Sequence, residues 1–250
     1  MDFSDEGILI GARPLGEANA IVELFTQHHG RHLGLVRGGR SRRLRPLLQP
    51  GNVLSVTWRA RLSEHLGSFA VELLDARAAL LLDDEAALAA IGSLTTLAKL
   101  LPERDPHPQL YAEALHVLRT LDDPQVWPAL LVHWELLLLQ DLGFGLDLSE
   151  CAATGVAVDL SYVSPRSGRA VSRDAGQPYC DRLLKLPRFL LEEGAPASPH
   201  DIAAGFALTR HFLERDVLSP QGLTMPQPRE RLMALLARTP RTLEPAQPMR

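Results

Sequence analysis

The sequence predicts an α+β chain: a small five-stranded β-barrel, then an α-helical domain with a short β-hairpin module inserted in it. Three observations lead there. The stretch up to Asp75 breaks into five short β-branched or aliphatic segments, the apolar residues then take up helical spacing, and from Leu146 to Cys180 neither pattern holds.

The strand segments are GILIGAR (7–13), AIVELFT (20–26), RHLGLVRG (31–38), NVLSVTWRA (52–60) and GSFAVELLD (67–75), separated by Gly, Pro or polar turns. HHG at 28–30 reads as a tight hairpin connection. In the fourth segment Leu54, Val56 and Trp58 share one face and Ser55, Thr57, Arg59 and Arg61 the other, the period of a sheet with one wet side. Five short antiparallel strands within residues 1–78 point to a closed barrel, and the OB-fold is the common five-stranded form.

The helical domain opens over 79–145. DDEAALAAIGSLTTLAKLL (83–101) has acidic residues in its first turn, where the helix dipole favours them. PERDPHP (102–108) breaks the pattern because prolines cannot sit inside a helix. QLYAEALHVLRTL (109–121) resumes it, and ALLVHWELLLLQDLGF (129–144) is apolar nearly all round, the mark of a helix buried between others, with Gly143 and Gly145 as stops. Residues 146–180 form the inserted module, in which LSYVSPRSGRAVS (160–172) reads as a hairpin turning at PRSG. Helices return over 178–194, over 198–217 with a Ser-Pro-x-Asp start, and over 228–238, and those within 181–238 complete the helical domain. The Pro-rich tail, 239–250, has no apolar period and reads as disordered.

With 46% hydrophobic and 22% charged residues the chain is globular. The N-terminus has no basic stretch ahead of an apolar run, so a secretory signal is not expected, and no run of 18 apolar residues offers a membrane span. Cys151 and Cys180 are too few for a disulfide framework, and a reduced, cytoplasmic protein is the expectation.

No catalytic residue is expected: phosphate-loop, dinucleotide-binding, nucleophile-elbow and zinc-protease motifs are all missing. His28, His29 and His32 cluster in sequence, but a strand–turn–strand does not converge three imidazoles on one metal, so hairpin or nucleic-acid contacts are favoured. His133, inside the apolar helix segment, reads as a hydrogen-bonded core histidine. Cys151 lies in LSECAATG, where a zinc knuckle needs a second cysteine and finds Thr154. No metal and no cofactor are expected, and both thiols read as small buried groups.

Charge is the informative signal. The chain carries a net -4, yet from Leu24 to Ser63 there are eight arginines (31, 37, 40, 42, 43, 45, 59 and 61) and no Asp or Glu. Arg37, Arg40, Arg42, Arg43 and Arg45 crowd into LVRGGRSRRLRPLLQPG (35–51). Like charges so close repel by roughly 1 kcal/mol per pair even in water, a cost offset when a polyanion is the partner. Guanidinium forks match phosphate oxygens, and each neutralised phosphate releases counterions. Gly38 and Gly39 let the backbone approach a ligand. Arg59 and Arg61 extend the basic track onto the sheet, and sparse aromatics leave stacking a minor term.

Over most of its length the chain resembles the RecO family of bacterial recombination mediators. The resemblance is carried by Glu6-Gly7, Gly16-Glu17 with Asn19, Ile21-Val22, Leu24-Phe25-Thr26, His29-Gly30, the arginine run, LLQPG (47–51) and LGFGLDLSECAATG (142–155). It implies an N-terminal OB-fold, a helical middle with an added module, and a non-enzymatic role: binding single- and double-stranded DNA, annealing complementary strands, and helping RecA load onto DNA coated by single-strand-binding protein. The implied partners are RecR and the acidic C-terminal tail of single-strand-binding protein, with no membrane. The five clustered arginines would belong to the family's DNA-contacting surface. Many members carry a four-cysteine zinc module. Here Cys151 matches its first ligand and Thr154 replaces the second, so the hairpin is expected to survive as a metal-free remnant held by packing. Two rival classes fit the same residues, a helical protein-interaction adaptor whose basic loop grips an acidic partner and an RNA-binding OB-fold protein. A hydrolase is the least favoured.

Overall fold

The computed structural model describes residues 1–62, 64–81, 83–192 and 194–238. The tail read as disordered, 239–250, lies outside the described residues. Strands β1 (Asp2–Leu15), β2 (Asn19–Thr26), β3 (Gly30–Val36), β4 (Val53–Arg59) and β5 (Ser68–Asp75) close a barrel in the order β1-β2-β3-β5-β4, the ring of an OB-fold. β1 begins at Asp2 and not at Gly7, because Asp2 to Glu6 pair along β4 from Arg59 to Ser55; ladder hydrogen bonds extend the strand where no apolar pattern does. Its register shifts between Leu9 and Gly11, a bulge after which β1 pairs with β2 alone. Leu9, Val22, Leu24, Leu54, Val56 and Trp58 fill the barrel interior. Ile8, Ile10, Phe25 and Val53 belong instead to the core of the helical region, so the barrel is apolar on both sides where helices cover it.

The chain then forms a short α1 (Arg77–Leu80) and α2 (Glu85–Leu97), whose N-cap Asp84 accepts hydrogen bonds from the amides of Ala86 and Ala87 at 2.9 Å each. α3 (Pro108–Arg119) and α4 (Trp127–Asp141) follow. α4 stops where Gly143 and Phe144 donate their amides to the carbonyls of Gln140 and Leu139, at 2.9 and 2.8 Å. In the inserted module β6 (Leu160–Val163) and β7 (Ala170–Ser172) form the hairpin, followed by the single turn α5 (Arg173–Gly176) and β8 (Leu184–Lys185), giving a sheet ordered β7-β6-β8.

The helix expected over 178–194 is not formed. Two 3₁₀ turns, Gln177–Arg182 and Arg188–Leu190, flank β8, which pairs with Tyr162 and Val163. Pro187 has no amide to donate and disfavours helix at Leu186, so pairing to β6 outweighs the leucine spacing. α6 (Pro199–Phe212) starts on a reciprocal capping box between Ser198 and Asp201 and runs on as a π turn, Leu213–Leu218; α7 (Gln227–Arg238) packs on α2.

Barrel and helices are joined through side chains. Phe25 meets Tyr111 edge-on at 5.6 Å, and the Tyr111 hydroxyl donates to Glu6 Oε1 at 3.1 Å. Among the described residues no helix is long and apolar enough to cross a membrane.

Candidate nucleic-acid interface

The basic segment occupies the connection between β3 and β4, and its fold follows from the alternation of arginine and leucine. Leu44, Leu47 and Leu48 stand at helical spacing. Leu48 is buried in the barrel core with the other two packed beside it, while amides of Arg45, Leu47 and Leu48 bond back to Ser41 and Leu44 in short turns. Arg45, between Leu44 and Leu47, is thereby turned outward, and Arg40, Arg42 and Arg43 ahead of Leu44 are exposed as well. Gly39 lets this plug seat, since a Cβ there would lie 2.8 Å from the Ala20 Cβ and 3.1 Å from Leu48 Cδ1. Gly38 beside it has φ +67°, a conformation side-chain-bearing residues seldom adopt.

Both ends of the loop are tied down. At the start, Asn19 Oδ1 accepts from the Gly38 amide at 3.1 Å and the Arg40 amide donates to the Ala18 carbonyl at 3.0 Å. At the far end the buried Asn52 donates through Nδ2 to the carbonyls of Pro46 and Leu47, at 3.2 and 3.1 Å, and accepts from the Ala78 amide at 3.3 Å. Asn52→Ala is expected to cost about 2–3 kcal/mol in urea unfolding, because three hydrogen bonds go and buried polar groups lose their partners. An unchanged midpoint would show that the leucine plug alone holds the loop.

Arg37, Arg40, Arg42, Arg43 and Arg45 are all exposed. Among the described residues no salt bridge joins any of them, or Arg59 or Arg61, to a carboxylate; Arg40 alone makes a side-chain hydrogen bond, Nη1 to the Gly16 carbonyl at 2.8 Å. Arg40 and Arg45 share the lining of a concavity of about 370 Å³ with Arg13 on β1. Arg13 lies outside the acid-free window that marks the basic segment, and nothing in its spacing signals the meeting.

Arg59 is exposed at the end of β4, and the ladder Leu35–Ser68–Arg59 puts it two strand spacings, about 10 Å, from Leu35, the next-to-last residue of β3. Arg61 is exposed beyond the strand, in the β4–β5 connection, so the two do not share a strand face. Arg31 is placed differently. Its guanidinium holds Glu23 and donates to the Leu101 carbonyl at 2.7 Å, and its side chain is only 18% exposed; it anchors the barrel to the helices, and it faces carboxylate and carbonyl groups where the others face solvent. Trp58 is buried with its Nε1 on the Leu66 carbonyl at 3.0 Å and offers no stacking face.

The histidines of the β2–β3 turn converge on one carboxylate. Asp5 accepts from His29 Nδ1 at 2.7 Å, His28 Nδ1 at 3.1 Å and the His28 amide at 2.9 Å. Burial pushes the Asp5 pKa up, but the hydrogen bonds from His29, His28 and the Glu6 amide together hold it below the ordinary 3.8. A depressed carboxylate stabilises the fold above its unfolded pKa and loses that contribution as pH falls through the folded one. Asp5→Asn is therefore expected to flatten the acid limb of stability below about pH 4, read as urea midpoints against pH; a limb as steep as the parent's would place acid sensitivity elsewhere. His133 hydrogen-bonds the Phe189 carbonyl through Nε2 at 3.0 Å, as expected, but is half-buried and not a core residue.

A family model described as Recombination protein O N terminal matches residues 1–77, and one described as Recombination protein O C terminal matches 82–223. The chain belongs to the RecO family. It is 54% identical over 241 residues to a "DNA repair protein RecO" of Methylorubrum populi, covering 94% of this chain and 98% of the relative. Proteins of the same description from Methylobacterium nodulans (53% identical; 94% and 98% covered) and Afipia carboxidovorans (52%; 97% and 99%) match alike. The chain thus stands among DNA repair proteins. The gap between the two matched stretches falls at α1, where barrel gives way to helices.

In this RecO-family chain the inserted module does not fit a four-cysteine metal site. Thr154 stands three residues after Cys151, Cys180 sits in an exposed turn with its Sγ 3.9 Å from Asp181 Oδ1, and no cluster of metal-ligating side chains occurs among the described residues. The buried Cys151 Sγ instead accepts hydrogen bonds from the Ser172 amide at 3.2 Å and the Ser172 hydroxyl at 3.4 Å. Burial raises the thiol pKa, but these bonds, with those from Thr154 and the Ala153 amide, draw it down to about 6. Leu160, Val163, Ala170 and Val171 join the helical core beside it and hold the module by packing.

Proposed function

We propose that this chain is a non-enzymatic, cytoplasmic DNA-binding mediator that holds single-stranded DNA by its phosphates, anneals complementary strands, and assists RecA loading onto DNA coated by single-strand-binding protein. One observation carries the reading: five exposed arginines on a leucine-plugged OB-fold loop, none of them neutralised by a carboxylate among the described residues. Charge neutralisation lowers strand–strand repulsion and leaves most base edges free to pair, so annealing needs no active site. The acidic remainder of the chain keeps nucleic acid on the basic face. RecR and the tail of single-strand-binding protein are the partners the family resemblance supplies, and the relatives' description as DNA repair proteins supports the same role.

The test is strand annealing with complementary oligonucleotides precoated by single-strand-binding protein. Acceleration well above the uncatalysed rate is expected, with loss of most of it on raising salt from 50 to 200 mM, as phosphate contacts require. No acceleration on coated or naked strands would reject the proposal. A nuclease-insensitive pull-down without any shift of oligonucleotides would favour the adaptor reading instead.

A further inference from the structure

The arginine loop does not end its groove at its own edge. The concavity between Arg13, Arg40 and Arg45 has an apolar floor that includes Ala12, Ala20 and Leu48. At Ala12 and Arg13, on the edge of β1, it borders a second, smaller depression of about 110 Å³ on the opposite face of the β1–β2 ribbon, lined by Ile21, Glu23 and Leu33 and reaching Lys99 just after the first long helix. The β1 bulge lies under this junction, and Gly11 gives the lysine room: a Cβ there would sit 3.0 Å from Lys99 Nζ. Lys99 is exposed and makes no salt bridge or side-chain hydrogen bond among the described residues. Glu23, the one acid among the described residues that line the two depressions, is already bound by Arg31. The two depressions meet over the edge of β1 at Ala12 and Arg13, with Arg40 and Arg45 on one side and Lys99 on the other.

The geometry points to a subsite for one unpaired nucleotide in the larger concavity, its base on the Ala12–Ala20–Leu48 floor and its phosphate among Arg13, Arg40 and Arg45, with the strand running on past Arg13 to Lys99. The volume stands near the small end of the about 300–1,000 Å³ range of small-ligand sites, the size of a single nucleotide. An apolar floor rewards a base face and gives nothing to a phosphate, so a base-paired nucleotide, whose faces are stacked away, cannot use it. The groove thus selects strand over duplex. On pairing with its complement, the docked nucleotide is withdrawn and the product is held more weakly than the substrate, which favours its release. This inference rests on the reading that the arginine loop binds DNA and adds to it two contacts outside the loop.

The experiment is fluorescence anisotropy of oligo(dT) and of a duplex of equal length against salt, using the full chain with the loop intact. Arg13→Ala and Lys99→Ala are each expected to reduce the single-strand log–log salt slope by about 0.7. Ala12→Phe, which fills the neck between the two depressions from an exposed strand position, is expected to weaken oligo(dT) at least fivefold while leaving the duplex within twofold. Circular dichroism melting keeps the fold in view, and Ala12→Ser at the same position, which does not fill the neck, is expected to bind as the parent does. Unchanged slopes for both cation variants, or equal weakening of strand and duplex by Ala12→Phe, would overturn the subsite while the parent's own salt-dependent binding upheld the loop. A parent chain with no salt-dependent binding would overturn both.

Discussion

Changing Arg40, Arg42 and Arg43 together to Ala is expected to flatten the single-strand salt slope by about 2 units and to lower affinity about a hundredfold at 0.1 M salt. Each guanidinium on a phosphate contributes about 0.7 unit to the slope for single strands, and the three contributions add because each releases its own counterions. The fold should not feel the change. All three side chains are exposed, and among the described residues the one side-chain hydrogen bond lost is that from Arg40 Nη1 to the Gly16 carbonyl. Replacement by Lys should keep the slope and lose part of the affinity, since an ammonium preserves the charge without the bidentate fork. A triple Ala variant whose slope matched the parent's would make the loop a bystander.

Glu135→Ala is expected to destabilise the chain by about 3–5 kcal/mol, the largest single-residue effect in the helical region. Glu135 on α4 and Arg229 on α7 are both fully buried, paired from Nε to Oε1 at 3.1 Å and from Nη2 to Oε2 at 2.9 Å. Arg229 Nη2 also donates to the Phe206 carbonyl of α6 at 2.9 Å, and the Thr209 hydroxyl holds the same carboxylate, so three helices meet on one ion pair. Removing the carboxylate leaves a buried guanidinium whose Nη1 already has no hydrogen-bond partner among the described residues. Replacing both partners by Met should recover most of the loss, because the penalty belongs to the orphaned charge and not to the missing attraction. The measurement is the denaturant midpoint of both variants; a single variant within about 1 kcal/mol of the parent would show that water reaches the site.

How much of this was legible beforehand varies with the kind of interaction. The leucine plug and outward arginines follow from local spacing, as do the capping box at Ser198 and the stop at Gly143. The false helix over 178–194 arose because leucine periodicity is a weak prior that a two-residue strand pairing and one proline suffice to overrule. Arg31 read as another member of the basic run because its partners, Glu23 on the neighbouring strand and the Leu101 carbonyl 70 residues away, carry no local signature. The proximity of Arg13 to the loop arginines, and of Lys99 to Arg13, likewise has no local signature, since it arises only through strand pairing and the docking of the helices.

The order of residues by itself determined the class of elements, the switch from strand to helix after Asp75, and the segregation of charge that makes one face basic, because each depends on neighbours within a turn or two of chain. The tertiary structure alone decided which of those cations stay available. Barrel closure and helix docking bring distant carboxylates and carbonyls to some guanidiniums and withhold them from others, and a charge is free to hold a phosphate only where the fold has supplied it no partner of its own.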